Sequence, residues 1–129
     1  MEKRPRLPQA QKVAPWRGDI YLVAFDPTVG YEIRKTRPAL VIQNDIGNRH
    51  SPLTIVAAIT SKVSPVLYPV EVIIQPSIAN GLGSLSAIRL DHIRTIDKRR
   101  LIKRLGVVGQ STLLKVDEAI QISLGLVEI

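Results

Sequence analysis

Short apolar runs recur about every 12 to 16 residues from Asp19 onward, each closed by turn-forming residues, with no long helix between them. Such spacing restricts the chain to strands joined by brief connections, which pair mainly antiparallel and curl into a barrel-like sheet. The first run, DIYLVAF over 19–25, stops at the turn signal Asp26-Pro27, and a polar loop with Gly30 extends to Lys35. The second, PALVIQ over 38–43, is nearly all apolar, as a strand buried on both faces must be. Residues 44–52 (NDIGNRHSP) are dense in turn formers, and LTIVAAI over 53–59 gives the next strand. PVEVII over 69–74 alternates around Glu71. The glycine-containing connection 80–83 then leads to two further strands, 86–90 and 92–96.

Helix is expected only late. DKRRLIKRL over 97–105 reads as a short basic helix stopped at Gly106. Residues 111–126 (STLLKVDEAIQISLGL) place Leu113, Val116, Ile120 and Leu124 near helical spacing, with Ser111 as the N-cap. The fold class is therefore mainly β with a C-terminal helix, in one domain.

Composition narrows the function classes. A chain of 129 residues, 45% of them hydrophobic, suffices for one core. The absence of cysteine rules out disulfides and thiolate zinc sites, and a reducing cytoplasm is the expected setting. No apolar run reaches the roughly 18 residues of a membrane span, and the N-terminus lacks the apolar core of a secretory signal. The net charge of +7 suits a polyanionic partner. Much of it lies at the N-terminus, where Lys3, Arg4, Arg6, Lys12 and Arg17 face Glu2 alone. Residues 1–15 read as a basic, disordered extension, and residues 16–129 as the folded domain.

Two residues stand out as chemistry. Arg37 sits at the mouth of the second strand, and Thr60, followed by Ser61, closes the third. An arginine with a hydroxyl, and no cysteine or histidine near them in sequence, is a means of gripping a phosphate and stabilising its extra charge. Arg89 and Arg94 alternate with apolar residues and read as further phosphate contacts from one sheet face. His50 lies in a polar turn, and His92 follows Asp91 without a third ligand at recognisable spacing, so no metal site is expected. Gly81 and Gly83 lack the Lys-Ser/Thr of a phosphate-binding loop and read as a turn. These residues alone describe a nucleic-acid-binding β-domain.

Five segments in order carry a resemblance: RGDIYLVAFDPTVG, KTRPALVIQNDIGN, TIVAAITS, IRLDHIRTIDKRRL and KVDEAIQISLGL. Together they resemble the MazF/PemK family of toxin endoribonucleases, over residues 16–129. The resemblance implies an SH3-like small barrel of the plasmid-maintenance toxin type, working as a homodimer. It implies sequence-specific cleavage of single-stranded RNA by 2′-OH attack, leaving a 2′,3′-cyclic phosphate and a 5′-OH, with no metal or other cofactor. It also implies neutralisation by a cognate antitoxin peptide. Arg37 and Thr60 match the family's catalytic arginine and threonine, and Arg89 and Asp91 match an Arg-x-Asp pair used for acid–base work. Glu32, Arg34 and Lys35 fall in the loop that closes over RNA, with Tyr31 placed to stack on a base. Ser61, His92 and Arg94 complete the expected RNA contacts. Tyr31 stands where some relatives have histidine, and His92 where many have glutamine. Two other readings share this pattern: a gyrase poison of the CcdB type on the same fold, and an RNA-binding module without catalysis.

Overall fold

The computed structural model describes residues 14–26, 30–31, 35–66 and 68–128. Strands β1 (Asp19–Ala24), β2 (Thr36–Val41), β3 (Leu53–Thr60), β4 (Glu71–Ile74), β5 (Ser86–Asp97) and β6 (Leu101–Val107) form one six-stranded sheet. Its order is β4-β5-β3-β2-β1-β6, and every pairing is antiparallel. A short helix, α1 (Asp45–His50), links β2 to β3, and α2 (Gln110–Ser123) follows β6.

The central strands are buried on both faces, as the run PALVIQ requires. Leu40 joins Ile20, Ala57, Ile59, Ile88 and Val116 in a cluster under α2. Its neighbours Ala39 and Val41 point the other way, into a second cluster with Tyr21, Val23, Phe25, Val56 and Ala58. The sheet curls until its two edges meet. After β4, the turn at 77–81 is held by Asn80, whose side-chain oxygen accepts from Ser77 N and Leu82 N, each at 3.0 Å. That turn lies against β6, where Val107 N donates to Ala79 O at 3.0 Å. Glycine permits the approach on both sides. A Cβ on Gly106 would lie 2.3 Å from Ala79 O, and one on Gly81 2.1 Å from Leu105 O. The turn at 77–81 is thus the seam of the barrel.

Three expectations need correction. Residues 97–105 are not a helix: β5 runs to Asp97, Lys98–Arg100 make one 3₁₀ turn, and β6 begins at Leu101. Asp97 caps that turn by accepting from Arg99 N at 2.8 Å. The ladder offered by the open edge of β1 then outweighs the helical propensity of the basic run. Residues 44–52 are not merely a turn. Asn44 Oδ1 accepts from Gly47 N at 2.8 Å and caps α1, whose Arg49 and His50 suit the C-terminal end of the helix dipole. The fully buried Asn48 fixes α1 to the sheet, accepting from Thr54 Oγ1 at 2.8 Å and offering its carbonyl to Lys98 Nζ. Finally, α2 is capped by Gly109 rather than Ser111, without a side-chain capping bond.

Candidate functional site

The strand pairings decide where Arg37 and Thr60 lie. Ala39 faces Ala58, Leu40 faces Ala57 and Val41 faces Val56. Two residues further along each strand, Arg37 and Thr60 have the same alternation as Ala39 and Ala58 and so belong to their face of the sheet. Arg37 also pairs with Val23, so its side chain belongs to the face carrying Val23, Ala39 and Ala58. Thr60 Oγ1, only 8% exposed as a residue, accepts from Lys62 N at 3.1 Å. A hydroxyl that accepts in this way still has its proton to donate. Ser61, next to it, is exposed.

Strand β5 brings the remaining groups to the same face through a bulge. Ala57 pairs with Ile93, yet Ala58 pairs with Arg89, so Leu90, Asp91 and His92 fall outside the ladder. The two runs expected at 86–90 and 92–96 are therefore one strand broken by this bulge. Its backbone is pinned: Leu90 N donates to Val70 O at 2.8 Å, and Leu90 O accepts from Ser123 Oγ of α2 at 2.6 Å. Arg94 pairs with Val56, which puts it on the face shared by Arg89 and Arg37.

Within the bulge Arg89 makes a two-pronged grip on Asp91, Nε to Oδ1 at 2.9 Å and Nη2 to Oδ2 at 2.8 Å. Behind it stands Glu71 of β4, its side chain only 7% exposed and 3.6 Å from Arg89 Nε. Arg89 Nη2 is also 3.3 Å from His92 Nε2. The hydrogen bonds from Arg89 hold the Asp91 carboxyl below its ordinary range, and Asp91 in turn raises Arg89. In the free protein Asp91 is therefore an ionised and weak base.

A cavity of about 430 Å³ opens beside this pair, lined by Phe25, Tyr31, Ala58, Asp91, His92 and Arg94, among others. Tyr31 at its rim is fully exposed. Arg94 is tied down by donating to Phe25 O at 2.7 Å, with its guanidinium 6.0 Å from the Phe25 ring centroid. Lys35 takes a left-handed backbone (φ 66°), fixed by its N donating to Asp26 Oδ1 at 3.0 Å and its O accepting from Phe25 N at 2.9 Å. Glu32 and Arg34 lie outside the described residues.

Of the expected residues, Arg37, Thr60, Arg89 and Arg94 share one face, and Asp91 and His92 reach it through the bulge. Sequence reasoning missed Glu71 as a site residue. Its only signal was an acid set in the apolar strand PVEVII, where a charge demands a partner.

Residues 16–124 match the family model described as PemK-like, MazF-like toxin of type II toxin–antitoxin system. Endoribonuclease EndoA of Bacillus subtilis (strain 168) is 47% identical over 112 residues, spanning 87% of this chain and 96% of that protein. Among solved structures, MazF from Deinococcus radiodurans superposes with a TM-score of 0.74 at 28% identity, covering 88% of this chain and 98% of that one. An endoribonuclease in complex with its cognate antitoxin, from a mycobacterial species, gives 0.72 at 27% identity over 90% and 100%.

Proposed function

Because this chain belongs to the PemK-like, MazF-like toxin family of type II toxin–antitoxin systems, we propose that it is a cytoplasmic endoribonuclease that cuts single-stranded RNA at short sequence motifs. It works as a homodimer and is silenced by a cognate antitoxin peptide, as the antitoxin-bound mycobacterial relative suggests. The observation that supports the reading is the strand alternation that puts Arg37, Thr60 and Arg89 on one face of the sheet.

The chemistry follows from those side chains. The Arg37 fork holds the two non-bridging oxygens of the scissile phosphate, and Thr60 donates to the same group. The ribose 2′-oxygen attacks phosphorus, its proton leaves to a base, and the bond to the 5′-oxygen breaks. That oxygen takes a proton from water. The products are a 2′,3′-cyclic phosphate and a 5′-OH, with Arg37 and Thr60 stabilising the charge that develops on the phosphorane. No step needs a metal ion. Asp91 is the candidate base. An arriving phosphate competes for the Arg89 guanidinium, loosening the grip that keeps Asp91 weakly basic.

Cleavage of a long single-stranded RNA in EDTA, with analysis of the new ends, tests this. Wild-type protein yields cyclic-phosphate ends, and folded Arg37→Ala protein loses about 3 kcal/mol of transition-state stabilisation, roughly a hundredfold in rate. Undiminished cutting by that variant removes Arg37 from the mechanism. Intact RNA together with trapped gyrase–DNA complexes would indicate a gyrase poison. Salt-dependent RNA binding without cyclic ends would indicate a binding module.

A further inference from the structure

We propose that Glu71 is a positioning residue: the standing counter-ion of Arg89, which keeps that guanidinium in place when Asp91 lets go of it. The inference rests on the RNA-cleaving function with Asp91 as its base, and it names the group that frees Asp91 for that work.

Arg89 is shared by two carboxylates that differ in how well they do without it. Asp91 lies in the bulge, outside the ladder, where it lines the cavity with its side chain 37% exposed. Once released, it is met by water or by substrate. Glu71 sits directly opposite Arg89 in the β4–β5 ladder, with its side chain only 7% exposed. Its strand is anchored on the other face by Val72 and Ile74, both in the core under α2, and Glu71 N donates to Tyr68 O at 3.0 Å. A carboxylate so deeply buried cannot give up its cation, because little water reaches it to take the cation's place. The partner that leaves is therefore Asp91.

The distances fit this division. Arg89 directs its hydrogen bonds to Asp91, Nε to Oδ1 at 2.9 Å and Nη2 to Oδ2 at 2.8 Å, and its Nε stands 3.6 Å from Glu71 Oε1. At that distance the contact with Glu71 is an ion pair without a hydrogen bond. A shift of about 0.7 Å brings Nε to the usual N–H···O separation from Glu71, so its N–H passes from one carboxylate to the other and no donor is left unpaired. Without Glu71, releasing Asp91 strands a largely buried guanidinium, and that cost is added to the barrier.

Two measurements decide it. The first needs no RNA: hydrogen exchange of the Arg89 Nε–H, read from its ¹H–¹⁵N signal in wild type, Asp91→Ala, Glu71→Gln and the double variant. In Asp91→Ala, where Glu71 takes over the bond, exchange stays within about threefold of wild type, and the double variant exchanges at least about tenfold faster. Equal exchange in Asp91→Ala and the double variant overturns the proposal, as does exchange in Asp91→Ala at the rate of an unbonded arginine. The second is steady-state cleavage of a short RNA. Glu71→Gln keeps the shape of the side chain; its kcat falls about tenfold while KM stays within about twofold of wild type, because the contact matters only after Asp91 has let go. Glu71→Asp keeps the carboxylate and recovers part of the loss, which a merely structural role would not allow. A wild-type kcat in Glu71→Gln, or a change in KM alone, overturns the proposal. Should Glu71→Gln not fold, exchange in Asp91→Ala decides by itself: protection kept supports the role, and protection lost refutes it. If wild-type protein leaves RNA intact, the cleavage function fails, while the exchange measurement still decides whether Glu71 retains Arg89.

Discussion

Replacing Gly106 by alanine tests whether the two edges of the sheet meet as described. The added Cβ would lie 2.3 Å from Ala79 O and 2.5 Å from Asn80 C, both backbone atoms that no rotamer change can move. Ordinary contact begins near 3.4 Å, so β6 and the turn at 77–81 must separate by about 1 Å. Overpacking of this kind costs about 1–3 kcal/mol. The separation also weakens the Val107 N to Ala79 O bond, worth about 1 kcal/mol net. The expected loss is therefore about 2–4 kcal/mol, a fall of about 1–3 M in the urea midpoint at typical slopes. Gly83→Ala is the control. Nothing lies within 4 Å of its Cβ, and its φ is not in the left-handed region, so its midpoint stays within about 0.5 kcal/mol of wild type or rises. Gly81→Ala meets Leu105 O at 2.1 Å and adds the strain of φ +70°, so it costs more than Gly106→Ala. The double variant costs less than the sum, because one separation relieves both clashes. A Gly106→Ala midpoint equal to that of Gly83→Ala would refute the closure.

Two pH responses follow from buried and paired charges. Arg89 holds Asp91 below its ordinary range, so this pair adds stability above the unfolded value near 3.9 and loses it as pH falls through the folded value. Because the Asp91 side chain is 37% exposed, screening limits the gain to less than about 1 kcal/mol. Asp91→Asn should flatten the fall in urea midpoint on acidification, and an unchanged acid limb would contradict the pairing. Lys98 behaves oppositely. Burial lowers its pKa, so the unfolded chain binds its proton more tightly, and stability rises with pH between the folded value and the unfolded value near 10.4. Lys98→Met loses that alkaline gain. At pH 7 it also costs about 1–3 kcal/mol, because the Asn48 carbonyl loses its buried partner. Thermal unfolding at both pH values checks this.

The strands were legible because apolar runs between turn formers leave few alternatives, and β2 shows why. Ala39, Leu40 and Val41 are all fully buried, as an unbroken apolar run implies. Helix α2 was legible from Leu113, Val116 and Ile120, although Leu124 lies beyond its end and is exposed. Strand β6 was not. Its register to β1 shifts twice, between Ile20 and Tyr21 and between Leu22 and Val23, which scrambles the period-two pattern and leaves a basic run that reads as helix. Helix α1 spans six residues, too few for any periodicity, and only its Asn44 cap could have announced it.

The site was half legible for a related reason. Arg37 and Thr60 needed only the pairing of neighbouring strands. Arg89 and Arg94 are five residues apart, and in a regular strand an odd spacing puts side chains on opposite faces. If the pairing of Ala57 with Ile93 continued unbroken, Arg89 would fall on the face of Ala57, Ile59 and Ile88, in the core under α2. An unpaired guanidinium there would be far too costly to bury. The three-residue shift at Leu90–His92 is odd, so it returns Arg89 to the face of Ala58 and Arg94, opposite Glu71. The same shift keeps Ile88 and Ile93 together on the core side. An even-numbered bulge would preserve one of these arrangements only by sacrificing the other. The irregularity that split one strand into two apparent runs is therefore what lets β5 serve the core and the opposite face at once, and it leaves Asp91 and His92 free of the ladder to line the cavity.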